Sequence, residues 1–265
     1  MARKKGGAGK QGRAGKQGGA KGRRAADARA KDRPQGEKGG GRGSGLAEWM
    51  KSFGVAIVIF IIFRFFLIQT FVITSGSMEN TLLVGDFLVV NKAAMGSRIP
   101  LTNVRIPGYA EPRRGDILVF DPPHEDTLIL VKRLVGMPGD TVAMRNKALY
   151  VNGRPQHEPY VVTTRQPDYS DRAMLWQREY LLGGPREDYT PSRDTWGPIV
   201  IPPDRYLMLG DNRDSSLDGR TWGLLERWRL EGRVWAIYYS YNRGSFLPFP
   251  WIREIRWSRI GDRVR

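Results

Sequence analysis

Cysteine is absent from the 265 residues, so neither disulfide bonding nor thiolate chemistry is open to the chain. Histidine is almost as scarce: His124 and His157 are the only two. No HxxxH or HxxE spacing surrounds them, which leaves a zinc site short of ligands. Both read as loop or surface residues, and no metal and no cofactor is expected. Between Met1 and Leu46 there is no Val, Leu, Ile or Met. Segments such as GAGKQGRAGKQGGAKG bury too little apolar surface to offset their ordering entropy, so residues 1–45 are expected to be disordered.

Acidic residues are in deficit, 27 against 43 Lys and Arg, for a net charge of +16. The excess is uneven. Through Lys51 there are 15 basic residues against Asp27, Asp32, Glu37 and Glu48, so 15 − 4 = +11 falls in the first fifth, and 28 − 23 = +5 in the rest. A basic tail of this kind can bind nucleic acid or ribosomes. It can also act as a topogenic, lipid-facing cluster, drawn to anionic headgroups by about 1 kcal/mol per basic residue. The second reading is preferred, with membrane lipids as partner and no nucleic acid.

Long hydrophobic runs are also lacking, with one exception, FGVAIVIFIIFRFFLIQTFVI. Phe53 to Phe63 carry no polar side chain, and residues 46–68 meet the ~20 needed to cross a bilayer as a transmembrane anchor. Arg64 interrupts the run. With Trp49 at the inner interface, a rise of ~1.5 Å per residue places Arg64 about 22 Å along, near the far headgroups, where its stem can snorkel. A cleaved signal would have a short basic start and an A-x-A site. Here the basic stretch is long and no such site follows, so an uncleaved single-pass anchor is expected. The positive-inside rule then keeps the tail cytoplasmic and sends residues 69–265 to the outer side of the plasma membrane.

Past the anchor, FVIT, DFLVVNK, GDILVF, TLILVKRLVG, ALYVNG and RYLMLGD are short runs rich in Val, Ile, Leu, Phe and Tyr, separated by turns such as MPGD and VNGRP. The fold class expected is mainly β: an antiparallel sheet domain with short helical turns near Ser215 to Leu217. Residues 160–200 are more polar and read as an insertion or hairpin extension.

A serine nucleophile needs a base, and two isolated histidines make a Ser-His-Asp triad a poor fit. A neutral lysine serves instead when burial lowers its pKa from ~10.4. Most lysines lie in the tail or beside turns. Lys132, within TLILVKRLVG, is surrounded by apolar neighbours, sharing a strand face with Leu130 and Leu134 while Val131 and Arg133 face the other way. Taken alone, it reads more readily as a strand-edge lysine that blunts aggregation.

SGSM at 75–78 with TL at 81–82, VKRLVGMPGD at 131–140 and GDNRDSSLDGRTWG at 210–223, in that order behind an anchor, closely resemble the bacterial type I signal peptidases. The resemblance covers roughly Arg64 to the end and implies a membrane serine endopeptidase. By it, Ser77 is the nucleophile and Lys132 the general base. Ser75 supplies its hydroxyl, beside the Ser77 backbone N–H, to the oxyanion hole, where one donor is worth ~2.7–4 kcal/mol. Ser216 orients the lysine, Asp218 and Arg220 brace the site as a charged pair, and Asp211, Asn212, Arg213 and Asp214 form a supporting turn, although such residues make turns anywhere. One departure is Asn80, where many members carry proline in a SMxPTL pattern; it is expected to loosen the chain slightly.

The implied substrates are signal-peptide-bearing preproteins cut after small-x-small motifs. The stretches FVITSGSM and TLILVK suit edge addition of an extended peptide, with Ile73, Met78, Leu82, Leu130 and Val131 lining its pockets. Phe246, Phe249, Trp251 and Trp257 suit either interfacial contact or the packing of a terminal strand. A self-cleaving repressor-type Ser-Lys protease shares the logic, but such proteins are soluble, with a DNA-binding domain where the span lies here. An inert tethered binding module is the non-enzymatic alternative, against which stand both Ser77 and Lys132.

Overall fold

A computed structural model of the chain describes residues 42–98, 104–125 and 128–264. The tail expected to be disordered lies, but for its last residues, outside them.

Helix α1 runs Arg42–Phe66. Within it Gly45–Arg64, with mean hydropathy 1.9, is long and apolar enough to cross a membrane. Its apolar side chains, from Leu46 through Phe63, are exposed rather than packed against protein. Trp49 and Phe53, one turn apart, stack with ring centroids 5.3 Å apart. Arg64 closes the helix by donating to the Ile68 carbonyl at 3.4 Å.

The described residues then form thirteen strands. β1 (Ile68–Val72), β2 (Asp86–Asn91), β3 (Gly96–Arg98), β4 (Arg105–Pro107), β5 (Ile117–Phe120) and β6 (Leu130–Gly136) come first. β7 (Thr141–Arg145), β8 (Ala148–Val151), β9 (Arg154–Pro155), β10 (Trp196–Val200), β11 (Arg205–Leu209), β12 (Leu225–Glu226) and β13 (Leu230–Ser240) follow. One seven-stranded antiparallel sheet has the order β1-β2-β13-β5-β6-β11-β12. A four-stranded sheet has the order β10-β7-β8-β9, and β3 and β4 form a hairpin.

Each run expected to be a strand contains one, except FVIT, of which only Phe71 and Val72 belong to β1, and the reason shows at β5 and β6. β5 reads ILVF without alternation because both of its faces are covered. Ile117 and Val119 join a cluster with Leu88, Val90, Met78 and Leu82; Leu118 and Phe120 join another with Leu134, Tyr206 and Met208. β6 keeps the same alternation. Val131 packs on the first cluster and Leu130 on the second, with Lys132 opposite Leu118 and Arg133 opposite Ile117 in the register.

The longest strand, β13, is not among the expected runs. Its apolar residues are broken by Gly232, Arg233 and the pair Tyr238–Tyr239, and its register with β2 and β5 shifts at three places, so bulges blur the period of two. Between 160 and 200 lie a nine-residue 3-10 helix, Arg172–Tyr180, and β10, which pairs with β7. Their apolar residues Met174, Leu181, Trp196 and Ile199 pack with Val142, Met144 and Leu149 in a cluster that also takes in Val135 of β6 and Leu207 and Leu209 of β11. The helical turns fall at Arg213–Ser215, which reaches the start of the expected 215–217, and at Gly219–Trp222, just beyond it.

Candidate active site

The first element of the site is a 3-10 turn, Gly76–Met78, at the end of the strand that leaves the apolar helix. Two buried apolar residues pin it to the core, Met78 and, one turn on, Leu82, whose N–H donates to the Met78 carbonyl at 2.7 Å. Just before the turn Ile73 pairs with Asp86 and Gly85 through backbone hydrogen bonds of 2.8 and 3.0 Å. Ser77 is thereby fixed at the bend with its hydroxyl projecting from the core. Ser75 Oγ lies 3.4 Å from Ser77 Oγ.

The second element is β6, from which Lys132, 2% exposed, donates from Nζ to Ser77 Oγ. Burial pushes the amine down from its ordinary value near 10.5 to about 8, while Asp218 and Asp211 pull it back up and Arg220 adds to the lowering. Two carboxylates nearby would keep the lysine charged were each not already engaged. Asp218, fully buried, accepts from Arg220 Nε at 2.9 Å and Nη2 at 2.8 Å and from the Gly210 N–H at 3.0 Å. Burial works to raise its pKa, but the Arg220 charge and these hydrogen bonds, with Lys132, hold it low. Asp211 accepts from Arg133 Nε at 2.8 Å and Nη2 at 2.7 Å, and from Thr81 Oγ1 at 2.5 Å.

The third element is the turn 210–214. The Asn212 N–H donates to the Ser77 carbonyl at 3.1 Å, and its side-chain amide donates to the Gly76 carbonyl at 3.2 Å. Arg213 donates from Nε to the Gly210 carbonyl at 3.2 Å. Asp214 accepts from Lys147 at 2.8 Å and from the Thr164 N–H and hydroxyl. Burial favours its neutral form, yet these bonds and the Arg193 charge carry its pKa below the usual range.

Ser75, Ser77, Lys132, Asp211, Asn212, Asp218 and Arg220 thus come together. Two assignments need correction. Ser216 makes no hydrogen bond to Lys132: its Oγ is buried without a partner, lying against the Gly210 backbone. Leu82 does not line the cleft, because it is fully enclosed in the core cluster beneath the Ser77 turn.

A cleft of about 190 Å³ opens beside the pair, walled by Val72, Ile73, Thr74 and Ser75 on one side and Leu128 to Lys132 on the other, with Ser77 and Met78 at its floor. Val72, Thr74, Leu128 and Ile129 were legible only as members of the two strand runs, since nothing in their spacing marks them as lining. A larger cavity of about 620 Å³, bounded by Met95, Pro107, Asp204 and Trp228, has no serine, threonine, lysine or histidine in its lining. Among the described residues no cluster of His, Asp or Glu fits a metal ion. Phe246, Phe249, Trp251 and Trp257 are exposed, Trp257 to 73%, so this segment is not part of the core.

Arg133, Glu158 and Tyr160 stand close to the site without having been expected there. The Tyr160 ring covers the Arg133 guanidinium at 3.7 Å. Their signal is weak in sequence because a buried arginine is recognised only by partners that lie far along the chain. At Asn80 the backbone has φ +81°, and the side-chain amide donates to the Tyr160 carbonyl at 3.1 Å.

Comparison with known proteins gives a consistent result. Residues 46–239 match the family model described as signal peptidase, peptidase S26. The chain is similar to a signal peptidase I of Pseudomonas aeruginosa, 37% identical over 233 residues, which cover 82% of this chain and 78% of that protein. It is also similar to a signal peptidase I of Pseudomonas fluorescens, 32% identical over 232 residues with the same coverage of 82% and 78%. A third, from Bacillus licheniformis, is 31% identical over 207 residues, 78% of this chain and 95% of that one.

Proposed function

The chain belongs to the peptidase S26 family of signal peptidases, and on that premise we propose that it removes signal peptides from exported preproteins with a Ser77–Lys132 dyad. The observation that carries the reading is the contact between the buried Lys132 amine and the Ser77 hydroxyl.

With a pKa of about 8, roughly one lysine in ten is neutral at pH 7. In that state the contact reverses: Ser77 O–H donates to Nζ, and Lys132 takes the proton as Ser77 Oγ attacks the scissile carbonyl. The oxyanion that forms is met by the Ser75 hydroxyl and the Ser77 backbone N–H. Collapse breaks the peptide bond, Lys132 returns its proton to the leaving amine, and an acyl group remains on Ser77. A water molecule deprotonated by Lys132 then releases it. Arg220 and Arg133 serve by occupying Asp218 and Asp211, which would otherwise hold the lysine in its charged form.

The walls of the cleft support an extended substrate lying between Val72–Ser75 and Leu128–Val131, with alternate side chains turned into a space that suits alanine-sized groups at two positions. The apolar helix before the site supports a membrane anchor, with the tail on the cytoplasmic side and residues 69–265 as the catalytic domain outside. A signal peptide's apolar segment lies in the bilayer, so an anchor keeps the serine at the depth of the scissile bond. The exposed Phe249, Trp251 and Trp257 suit the headgroup layer, and the basic tail suits anionic lipid.

Incubation of the purified, detergent-solubilised chain with a signal-peptide-bearing preprotein tests the reading, with product masses measured. Expected is one cut after a small-x-small motif. An intact preprotein, or cuts unrelated to that motif, would overturn it.

A further inference from the structure

The segment Glu158–Val162 crosses from the small sheet to the site and is fastened at four places. Val162 forms a parallel bridge with Asn212: its N–H donates to the Asp211 carbonyl at 2.9 Å, and its carbonyl accepts from the Arg213 N–H at 3.0 Å. Tyr160 lays its ring on Arg133, whose guanidinium holds Asp211. Tyr160 O–H donates to Glu158 at 3.0 Å, and Glu158 is paired with Arg213. The fourth fastening is Asn80, whose amide reaches the Tyr160 carbonyl.

Asn80 lies three residues past the nucleophile in a backbone conformation, φ +81°, that asparagine tolerates and proline, locked near −65°, does not. The turn after Ser77 is therefore built in a shape that depends on this residue type. A side chain in that place with no donor would cut the tie between the turn and Tyr160, leaving the anchors at Met78 and Leu82, the Asn212 contacts, and Thr81, which is held by Asp211 and Arg259.

We propose that Glu158–Val162 is a strap that positions the nucleophile, with Asn80 as the hook by which it holds the Ser77 turn against Lys132. Neither Asn80 nor Tyr160 lines the cleft, so both act through Ser77 and Arg133 and not on substrate. The inference rests on the Ser77–Lys132 reading for its catalytic consequence, though not for the fastening itself.

Two readouts keep these apart. Hydrogen exchange of the 76–82 amides in the full-length chain reads the fastening without catalysis. Preprotein cleavage, with Ser77→Ala as the inactive control, reads its consequence. Asn80→Gly keeps the backbone shape and removes the hook. Faster exchange at 76–82 is expected, with kcat down about tenfold and KM within about twofold. Asn80→Pro is expected to lose about 10²-fold in kcat, because a displacement near 1 Å is enough. Tyr160→Ala should resemble Asn80→Gly, while Tyr160→Phe, which keeps the ring on Arg133, should restore activity to within about twofold of wild type. The double variant Asn80→Gly/Tyr160→Ala should lose no more than the larger single effect, since both cut one strap.

Unchanged exchange in Asn80→Gly would overturn the strap. So would an unchanged kcat in an active protein, or single effects that multiply in the double variant. Faster exchange in a wild type that cleaves nothing would leave the fastening standing and sink the catalytic reading instead.

Discussion

Gly210 lies so close beneath Ser216 that a methyl group added to it would sit 2.1 Å from Ser216 Oγ, and 2.6 Å from the Ser77 carbonyl oxygen. Contacts under about 3 Å between a Cβ and backbone are not accommodated without movement, and here the backbone in question belongs to the nucleophile.

Gly210→Ala is accordingly expected to displace the Ser77 turn and to lower kcat by 10²-fold or more, displacement of reacting groups by about 1 Å being that costly. Ser216→Ala should not rescue it, because the Ser77 carbonyl remains in the way. Cleavage kinetics of the single and double variants check this. Near wild-type kcat in Gly210→Ala would show that the turn is not held as tightly as the structure implies.

Lys132 carries a stability cost that its substitution should relieve. Its folded pKa of about 8 lies below the ordinary 10.5, so the folded state binds its proton more weakly than the unfolded state. Between pH 8 and 10.5 the unfolded chain holds more protons, and stability rises with pH. Below pH 8 the full cost applies, on the order of 3 kcal/mol. Lys132→Met is expected to raise Tm by several degrees at pH 7 while abolishing cleavage. The gap should close as pH rises through 8 to 10.5. Thermal unfolding followed by circular dichroism across that range measures it. A lower Tm for the variant at pH 7 would mean that the lysine is a net stabilising partner of Asp218 and Asp211.

The narrowness of the cleft predicts a specificity change. Ile73→Ala and Val131→Ala enlarge its opposite walls by two or three methyl groups each. A preprotein series with Ala, Val and Leu before the cleavage site should then show the larger residues accepted, their kcat/KM rising about 10-fold or more relative to the alanine substrate, since methylenes in an apolar pocket are worth ≈ 1–3 kcal/mol. An unaltered ranking would place the discriminating pockets elsewhere.

Much of this was legible in the chain itself, for reasons particular to each residue. Lys132 could be singled out by its apolar neighbours, but its role and that of Ser77 were legible only through the resemblance of the three boxes, since a lone lysine in a strand reads as an edge residue. The six short runs marked their strands through β-branched and aromatic residues between turn residues. β13 escaped because bulges and Arg233 disturb its alternation. Leu82 was misplaced because sequence nearness to the nucleophile does not say which side of a 3-10 turn a side chain takes. Arg133 and Tyr160 were invisible because their pairing joins residues distant in sequence, and the long-range fold alone brings a tyrosine ring over a buried guanidinium. Asn80, noted as a departure that loosens the chain, proved to be a point of attachment.

Preprotein cleavage by the wild-type chain beside Ser77→Ala and Lys132→Met, each shown to be folded, tests the central claim most directly. Cleavage by the wild type and loss below detection in both variants are expected. Cleavage surviving in Lys132→Met would contradict it, since some other group would then be taking the Ser77 proton.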